Sequence, residues 1–259
     1  MVYLIVMLIQ RGKINMEKVD ILGVMVDSVT MDDAVKKVKE FLSSDGAKVI
    51  FTPNSEIIMA AKEDGSFRDL LNTADLIVPD GIGVVKAAKI LGHPMPERVG
   101  GFDLTCSVMP YLNEEKKSLF IFGGKPGVAD KAAENLKKEY PDLVIAGTND
   151  GYFTDDEPII KKIADSRPDY LMVCLGAPKQ EKWIAAHRDE LNAKVIIGAG
   201  GSADVFAGTM NRAPEFFIKH NLEWLYRIVK GKRFKRSLKL ISFGMTVYAS
   251  KFKKGDGAK

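Results

Sequence analysis

The sequence predicts an α/β protein in which a largely parallel sheet is flanked by helices and a basic helical appendage follows at the C-terminal end. Short apolar, β-branched runs alternate with helical patterns almost to residue 210, the signature of βαβ units. The loops between them are brief, with no low-complexity linker and no internal repeat. A third observation marks the appendage. The formal net charge of +4 hides an asymmetry: residues 219–259 carry 12 Lys and Arg against 2 acids, so that segment is +10 while residues 1–218 are −6. An acidic body with a basic tail points to an anionic partner at one end.

A composition of 46% hydrophobic and 28% charged residues excludes disorder, a collagen-like repeat and a polytopic membrane protein. The length of 259 residues fits one compact unit and an appendage. Cys106 and Cys174 lack metal-ligand spacing, and His93, His187 and His220 are scattered, so a structural zinc or a disulfide framework is not expected and a reducing compartment fits. The apolar run Met1 to Ile9 is shorter than the roughly 20 residues a spanning helix needs, and its positive charges follow it instead of preceding it. The expected organisation is therefore an apolar leader or extension over 1–15, an α/β core over 16–211 and a basic amphipathic appendage over 212–259.

Strands are expected at 19–24, 48–52, 75–78, 118–122, 143–147, 169–175 and 194–198, with helices between them, which together give a Rossmann-like sheet. Thr30 and Asp33 form a capping box ahead of Ala34, Val35, Val38, Phe41 and Leu42 at helical spacing. A helix over about 126–139 follows Gly123-Gly124 and places Ala129, Ala132, Ala133 and Leu136 on one side. Beyond Arg212-Ala213-Pro214-Glu215, where Pro sits near a helix start, strand patterning ends. Phe234, Leu238, Ile241, Met245, Tyr248 and Phe252 then recur every three or four residues, with Lys235, Arg236, Lys239 and Ser242 off that seam. Two readings fit: a helix docked on the body, or one lying in a membrane interface against anionic headgroups.

Open α/β sheets bind ligands beyond the carboxyl ends of their strands, so the polar loops at those ends are the candidate site. Thr52 and Asn54 stand at a strand end and helix start, suited either to a phosphate or sugar hydroxyl or to plain helix capping. Asp80 leaves the apolar strand end Leu76-Ile77-Val78. It is expected to be partly buried, which would raise its pKa and suit a general base; a helix cap is the alternative. Arg98, before Gly100-Gly101, fits a diphosphate clamp or a salt bridge with Glu97 or Asp103. Gly123 and Gly124 read as a nucleotide-diphosphate loop, Lys179 and Gln180 offer a cation and an amide, and Gly200 and Gly201 lie in a turn formally matching G-x-G-x-x-A.

Absences narrow the chemistry. There is no D-x-D pair to hold Mg²⁺ or Mn²⁺, and no Walker A, G-x-S-x-G, C-x-x-C or H-E-x-x-H motif. Three functions stay open on the residues alone: a sugar-nucleotide enzyme, a nicotinamide-dependent oxidoreductase built on the Gly198 loop, and a non-catalytic nucleotide-binding module recruited by its tail. A stripe of large apolar residues in that tail favours a membrane over nucleic acid, whose binders need charge and no such stripe.

Taken in order, Thr52-Pro53-Asn54-Ser55-Glu56, Asp80-Gly81-Ile82-Gly83, Glu97 to Leu104, Gly151-Tyr152-Phe153, Gly176 to Glu181, Gly198 to Gly201, Arg212-Ala213-Pro214 and Leu222 to Arg227 resemble the WecG/TagA/CpsF family of glycosyltransferases, over roughly residues 17–236. The resemblance implies an inverting, metal-independent enzyme without a cofactor, peripheral on the inner face of the cell membrane. It implies transfer of N-acetylmannosamine from UDP-N-acetylmannosamine to polyprenyl-diphosphate-linked N-acetylglucosamine, for wall teichoic acid linkage units or a related polysaccharide. By the same resemblance Asp80 is the base, Thr52, Asn54 and Gln180 line the catalytic pocket, Arg98 holds phosphate, and Arg227, Arg233 and Arg236 close over the UDP diphosphate. Between Arg227 and Arg233 the chain departs from the family, with Lys230-Gly231-Lys232 in place of the usual Glu-Pro and aromatic residue.

Overall fold

The computed structural model describes residues 17–220, 222–226 and 234–255, without the side chains of 234–238 and 253–255. The apolar leader lies outside the described residues. A hairpin of β1 (Lys18–Ile21) and β2 (Val24–Asp27) precedes a six-stranded, all-parallel sheet. The sheet is built from β3 (Lys48–Phe51), β4 (Leu76–Ile77), β5 (Ser118–Gly123), β6 (Val144–Asn149), β7 (Tyr170–Cys174) and β8 (Val195–Gly198), in the order β4-β3-β8-β7-β5-β6.

Helices cover both faces, as a parallel sheet requires. The central strands β7 and β8 are buried along their whole length, so they read as unbroken apolar runs. Alternate residues serve the two layers. Phe51, Phe120, Phe122, Leu171, Val173 and Ile196 pack with α2 (Ser55–Glu63), α3 (Gly65–Leu71), α4 (Ile82–Leu91), α7 (Glu157–Ser166) and α8 (Lys179–His187). On the other face Ile50, Leu119, Ile121, Tyr170, Met172 and Ile197 pack with α1 (Met31–Leu42), α5 (Gly101–Glu114), α6 (Val128–Glu139) and α9 (Ser202–Phe206). At the start of α1 the expected capping box is present: Asp33 N–H donates to Thr30 Oγ1, and Thr30 N–H donates to the Asp33 carboxylate, both at 3.1 Å.

The strands expected from residue 48 onward coincide with β3 to β8, with ends differing by one or two positions. The first expectation is corrected. Residues 19–24 are not one strand but parts of two, turned back at Leu22 and Gly23, whose φ angles of 56° and 96° are both positive. Such a two-residue turn usually announces itself as Asn-Gly or Asp-Gly. Here the polar help comes from outside the turn, where Asp20 Oδ1 accepts the Gly23 N–H at 2.7 Å. The hairpin is fixed to the sheet by buried Asp27, which accepts the Ile77 N–H of β4 at 2.7 Å.

In the appendage, α10 (Glu215–Lys219) starts after Pro214, a helical turn spans 223–226, and α11 runs Phe234–Gly255. Phe243 and Val247 of α11 are 3% and 0% exposed and belong to the core, against α2 and α4. Ile241, Met245, Tyr248 and Phe252 are exposed, at 58–69%. The expected helix is present, and it docks through a face other than the expected seam. Phe243→Ala is expected to cost about 3–5 kcal/mol in urea denaturation, as loss of a buried aromatic does, whereas Met245→Ser changes stability by less than about 0.5 kcal/mol.

Candidate active site

The site follows from the strand order. The connection leaving β7 runs toward β8 and the one leaving β5 runs toward β6, so adjacent strands send their chains in opposite directions and a crevice opens beyond their carboxyl ends. Gly123 closes β5 there with φ +127°, and a Cβ on it would lie 2.3 Å from the Cys174 carbonyl oxygen of β7. Gly151, after β6, donates its N–H to the Gly124 carbonyl at 2.9 Å. From the first turn of α8, Lys179 reaches back to the Gly151 carbonyl at 3.3 Å and covers the Phe153 ring at 4.1 Å.

Gln180, the next residue, turns toward β8. Its Oε1 accepts the Gly200 N–H at 3.0 Å, and its Nε2 donates to Glu181 Oε1 at 2.9 Å. Thr52, at the end of β3, donates its hydroxyl to the Gly198 carbonyl at 3.0 Å. The first turn of α8 thus joins the glycine loops after β5 and β6 to the polar ends of β3 and β8. Asn54 does cap α2: its Oδ1 accepts from the N–H groups of Glu56 and Ile57 at 2.9 and 3.2 Å. That assigns its carbonyl oxygen to the helix, while its Nδ2 donates to no described residue.

Asp80 leaves β4 beside this group, and a Cβ on the adjacent Gly81 would lie 3.9 Å from the Asn54 Cβ. Helix α4 begins after Gly81, which has no side chain to cap it. Asp80 is partly buried, as expected: its side chain is 31% exposed, because β4 ends at Ile77 and leaves Val78 to fill the core with Asp80 beyond it, and it faces a cation, with Arg98 Nη1 3.6 Å from its Oδ1. Arg98 is the centre of a network. It donates to Asp103 and lies 3.8 Å from Glu223 in the appendage. Asp103 also accepts from Arg212, whose guanidinium stacks over Phe102 at 4.9 Å. Of the two readings of Arg98, the salt bridge to Asp103 is present.

In the glycine loops the backbone N–H groups of Gly124 and Gly200 are bonded within the protein. The Gly124 N–H donates to the Cys174 carbonyl at 3.1 Å and the Gly200 N–H to Gln180, because a chain leaving a buried sheet must satisfy its own polar groups. Gly201 starts α9. Arg227 and Arg233 lie outside the described residues, as does the side chain of Arg236. Glu223, Arg212 and Glu181 were missed as individual residues. They stood inside matched motifs, but nothing local to Glu223 or Arg212 predicts a partner across the fold. Burial pushes the Cys174 thiol up to about 12 and the Cys106 thiol to about 11, which disqualifies both as nucleophiles. Among the described residues no three His, Cys, Asp or Glu side chains gather to hold a metal ion.

An all-parallel sheet with an ion-paired carboxylate and two side-chain amides at its carboxyl edge is the architecture of an α/β enzyme. The chain belongs to the WecG/TagA/CpsF family of glycosyl transferases, whose model matches residues 19–257. It is similar to proteins named N-acetylglucosaminyldiphosphoundecaprenol N-acetyl-beta-D-mannosaminyltransferase. With that of Bacillus spizizenii it shares 39% identity, covering 77% of this chain and 78% of the relative. With that of Bacillus subtilis it shares 38%, covering 81% and 82%. With that of Staphylococcus aureus it shares 38%, covering 86% and 89%. The protein is a glycosyltransferase.

Glu181 sets a pH dependence that can be measured. It is 1% exposed, and burial raises its pKa, partly offset by the Gln180 N–H. The native state therefore holds this proton to higher pH than the unfolded chain does, so its contribution to stability is fullest below the ordinary glutamate value and is lost as pH rises toward the folded value. Urea denaturation from about pH 4 to about pH 7 should show wild type losing stability relative to Glu181→Gln as pH rises.

Proposed function

We propose that this glycosyltransferase moves N-acetylmannosamine from UDP-N-acetylmannosamine to N-acetylglucosaminyl-diphospho-undecaprenol with inversion, for wall teichoic acid linkage units or a related surface polysaccharide. The observation that carries the reading is the half-exposed Asp80 carboxylate, 3.6 Å from Arg98 at the sheet edge, in a chain 38–39% identical to relatives so named. In this mechanism the acceptor hydroxyl attacks the sugar carbon and gives its proton to Asp80, while the bond from that carbon to the UDP oxygen breaks. Thr52, Asn54 and Gln180 line the pocket and hold the sugar. Arg98 and Lys179 take up the negative charge that accumulates on the phosphates, as fixed donors do best in a partly dry site. Gly123, Gly124, Gly200 and Gly201 shape the floor of the pocket. The basic segment containing Arg227, Arg233 and Arg236 closes over the UDP diphosphate, and with these cations the reaction runs without a metal or other cofactor.

Residues 212–259 act as a membrane-facing appendage on the core of 16–211, and the enzyme is peripheral on the inner face of the cell membrane. No helix among the described residues is long and apolar enough to cross a membrane. What supports an interfacial position is the exposed stripe of Ile241, Met245, Tyr248 and Phe252, flanked by exposed Lys239 and Lys251. The opposite face of the same helix rests on α4, so a lipid-linked acceptor and the proposed base meet on one side of the molecule. Nucleic acid is not a partner in this reading.

Purified protein should release UDP from UDP-N-acetylmannosamine only when a prenyl-diphosphate acceptor is supplied; release from other UDP-sugars alone would redirect the assignment. In that assay Asp80→Asn should lower turnover by about 10²-fold or more, and wild-type turnover in this variant would remove the base role. Sedimentation with anionic vesicles should weaken as salt rises, and Ile241→Ser/Tyr248→Ser should reduce it; equal binding to neutral vesicles would refute the electrostatic part.

A further inference from the structure

We infer that Glu181 is a positioning residue that locks the Gln180 carboxamide so that Gln180 presents an N–H donor, and not a carbonyl acceptor, to the substrate. The inference deepens the proposed function, since it rests on Gln180 lining the pocket. Adjacent residues on a helix do not normally face one another. Yet Gln180 Nε2 and Glu181 Oε1 are 2.9 Å apart in the first turn of α8, with both side chains buried, at 3% and 1% exposure.

The chemistry of the two partners fixes which way the amide points. The Gly200 N–H can only donate, so it selects Oε1, at 3.0 Å. The Glu181 oxygen that faces the amide accepts, so it selects Nε2. Gly198 adds a wall: a Cβ there would come within 2.9 Å of Nε2, so only a bare backbone lets the amide lie against the end of β8. The Gly198 carbonyl in turn receives the Thr52 hydroxyl, which places the locked amide beside a second pocket residue. One N–H of Nε2 is taken by Glu181, and the other donates to no described residue. That remaining donor fits an oxygen acceptor on the substrate, such as a sugar hydroxyl, an acetamido carbonyl or a phosphate oxygen.

Glu181 itself has no packing reason to be an acid. Its Oε2 has no hydrogen-bond partner among the described residues, no cation pairs with it there, and burial raises its pKa. An apolar residue of similar size would fill the place at no loss of stability. The carboxyl is explained by the amide it holds.

The test compares Glu181→Leu, Glu181→Gln, Gln180→Ala and the double variant Gln180→Ala/Glu181→Leu in the UDP-release assay, with melting temperature measured for each. Glu181→Leu should lower kcat about tenfold to hundredfold at an unchanged or higher melting temperature, as expected for a misplaced pocket group. Glu181→Gln keeps an acceptor oxygen and should stay within about threefold of wild type. The double variant should be no slower than Gln180→Ala alone, because Glu181 acts through Gln180. Wild-type turnover in Glu181→Leu, or multiplicative losses in the double variant, would overturn the inference; should Glu181→Leu fail to fold, Glu181→Met serves in its place. The lock is also read without turnover, by NMR of the Gln180 side-chain amide protons, assigned through their loss in Gln180→Ala. In wild type one of the two should be protected from solvent exchange, and in Glu181→Leu that protection should vanish. Protection in an enzyme that releases no UDP would fail the proposed function and leave the lock standing, while no protection in an active enzyme would fail the lock alone.

Discussion

Burial of the parallel sheet on both faces is the constraint from which the rest follows. With β7 and β8 wholly enclosed, polar chemistry can enter only where the chain leaves the sheet. At those exits the backbone still carries unpaired donors and acceptors, and each must be satisfied before any ligand is considered. Thr52 answers the Gly198 carbonyl, Gln180 the Gly200 N–H, and the Cys174 carbonyl the Gly124 N–H. The same side chains that close the sheet are the ones the proposed mechanism uses, and a side chain pinned by its backbone duty has the rigidity that a transfer reaction needs.

Charge at the edge is arranged by a second constraint. Arg98 stands among Asp80, Asp103 and Glu223, and Asp103 is shared with Arg212. Three carboxylates against two guanidinium groups make the cluster formally negative. The Glu223 contact brings the appendage to the sheet edge, and the sequence concentrates positive charge in the residues that follow it. Asp103 gives Arg98 its geometry, since a guanidinium held on one side by a carboxylate keeps its remaining donors aimed in a fixed direction.

Much of this was legible in the sequence because the relevant signals are local. Apolar runs gave β3 to β8, Thr30 and Asp33 gave the start of α1, and the loops holding Thr52, Asp80 and Gln180 marked the carboxyl edge of the sheet. What escaped was non-local. The turn at Leu22 and Gly23 depends on Asp20 and on docking against β4, so its own dipeptide carries little signal. The partial burial of Asp80 follows from its apolar strand, but the Arg98 that faces it comes from another loop and leaves no signal beside it. Glu223 reaches Arg98 across 125 positions of chain, and no periodicity encodes such a pairing.

Helix α11 shows why periodicity can find an element without saying which face docks. A search for the strongest apolar stripe selects Ile241, Met245, Tyr248 and Phe252, since they are large and regularly spaced. Among the described side chains, Phe243 and Val247 are the buried ones of the docked face, one turn apart, with Gly83 of α4 leaving room beside the Phe243 ring, and the broad stripe is left for another surface. Large contiguous apolar patches on water-facing protein mark interfaces, and this one is set among lysines. That combination supports the membrane reading, with a geometric consequence: the helix that would touch lipid with one face holds, with the other, the elements from which Asn54 and Asp80 emerge.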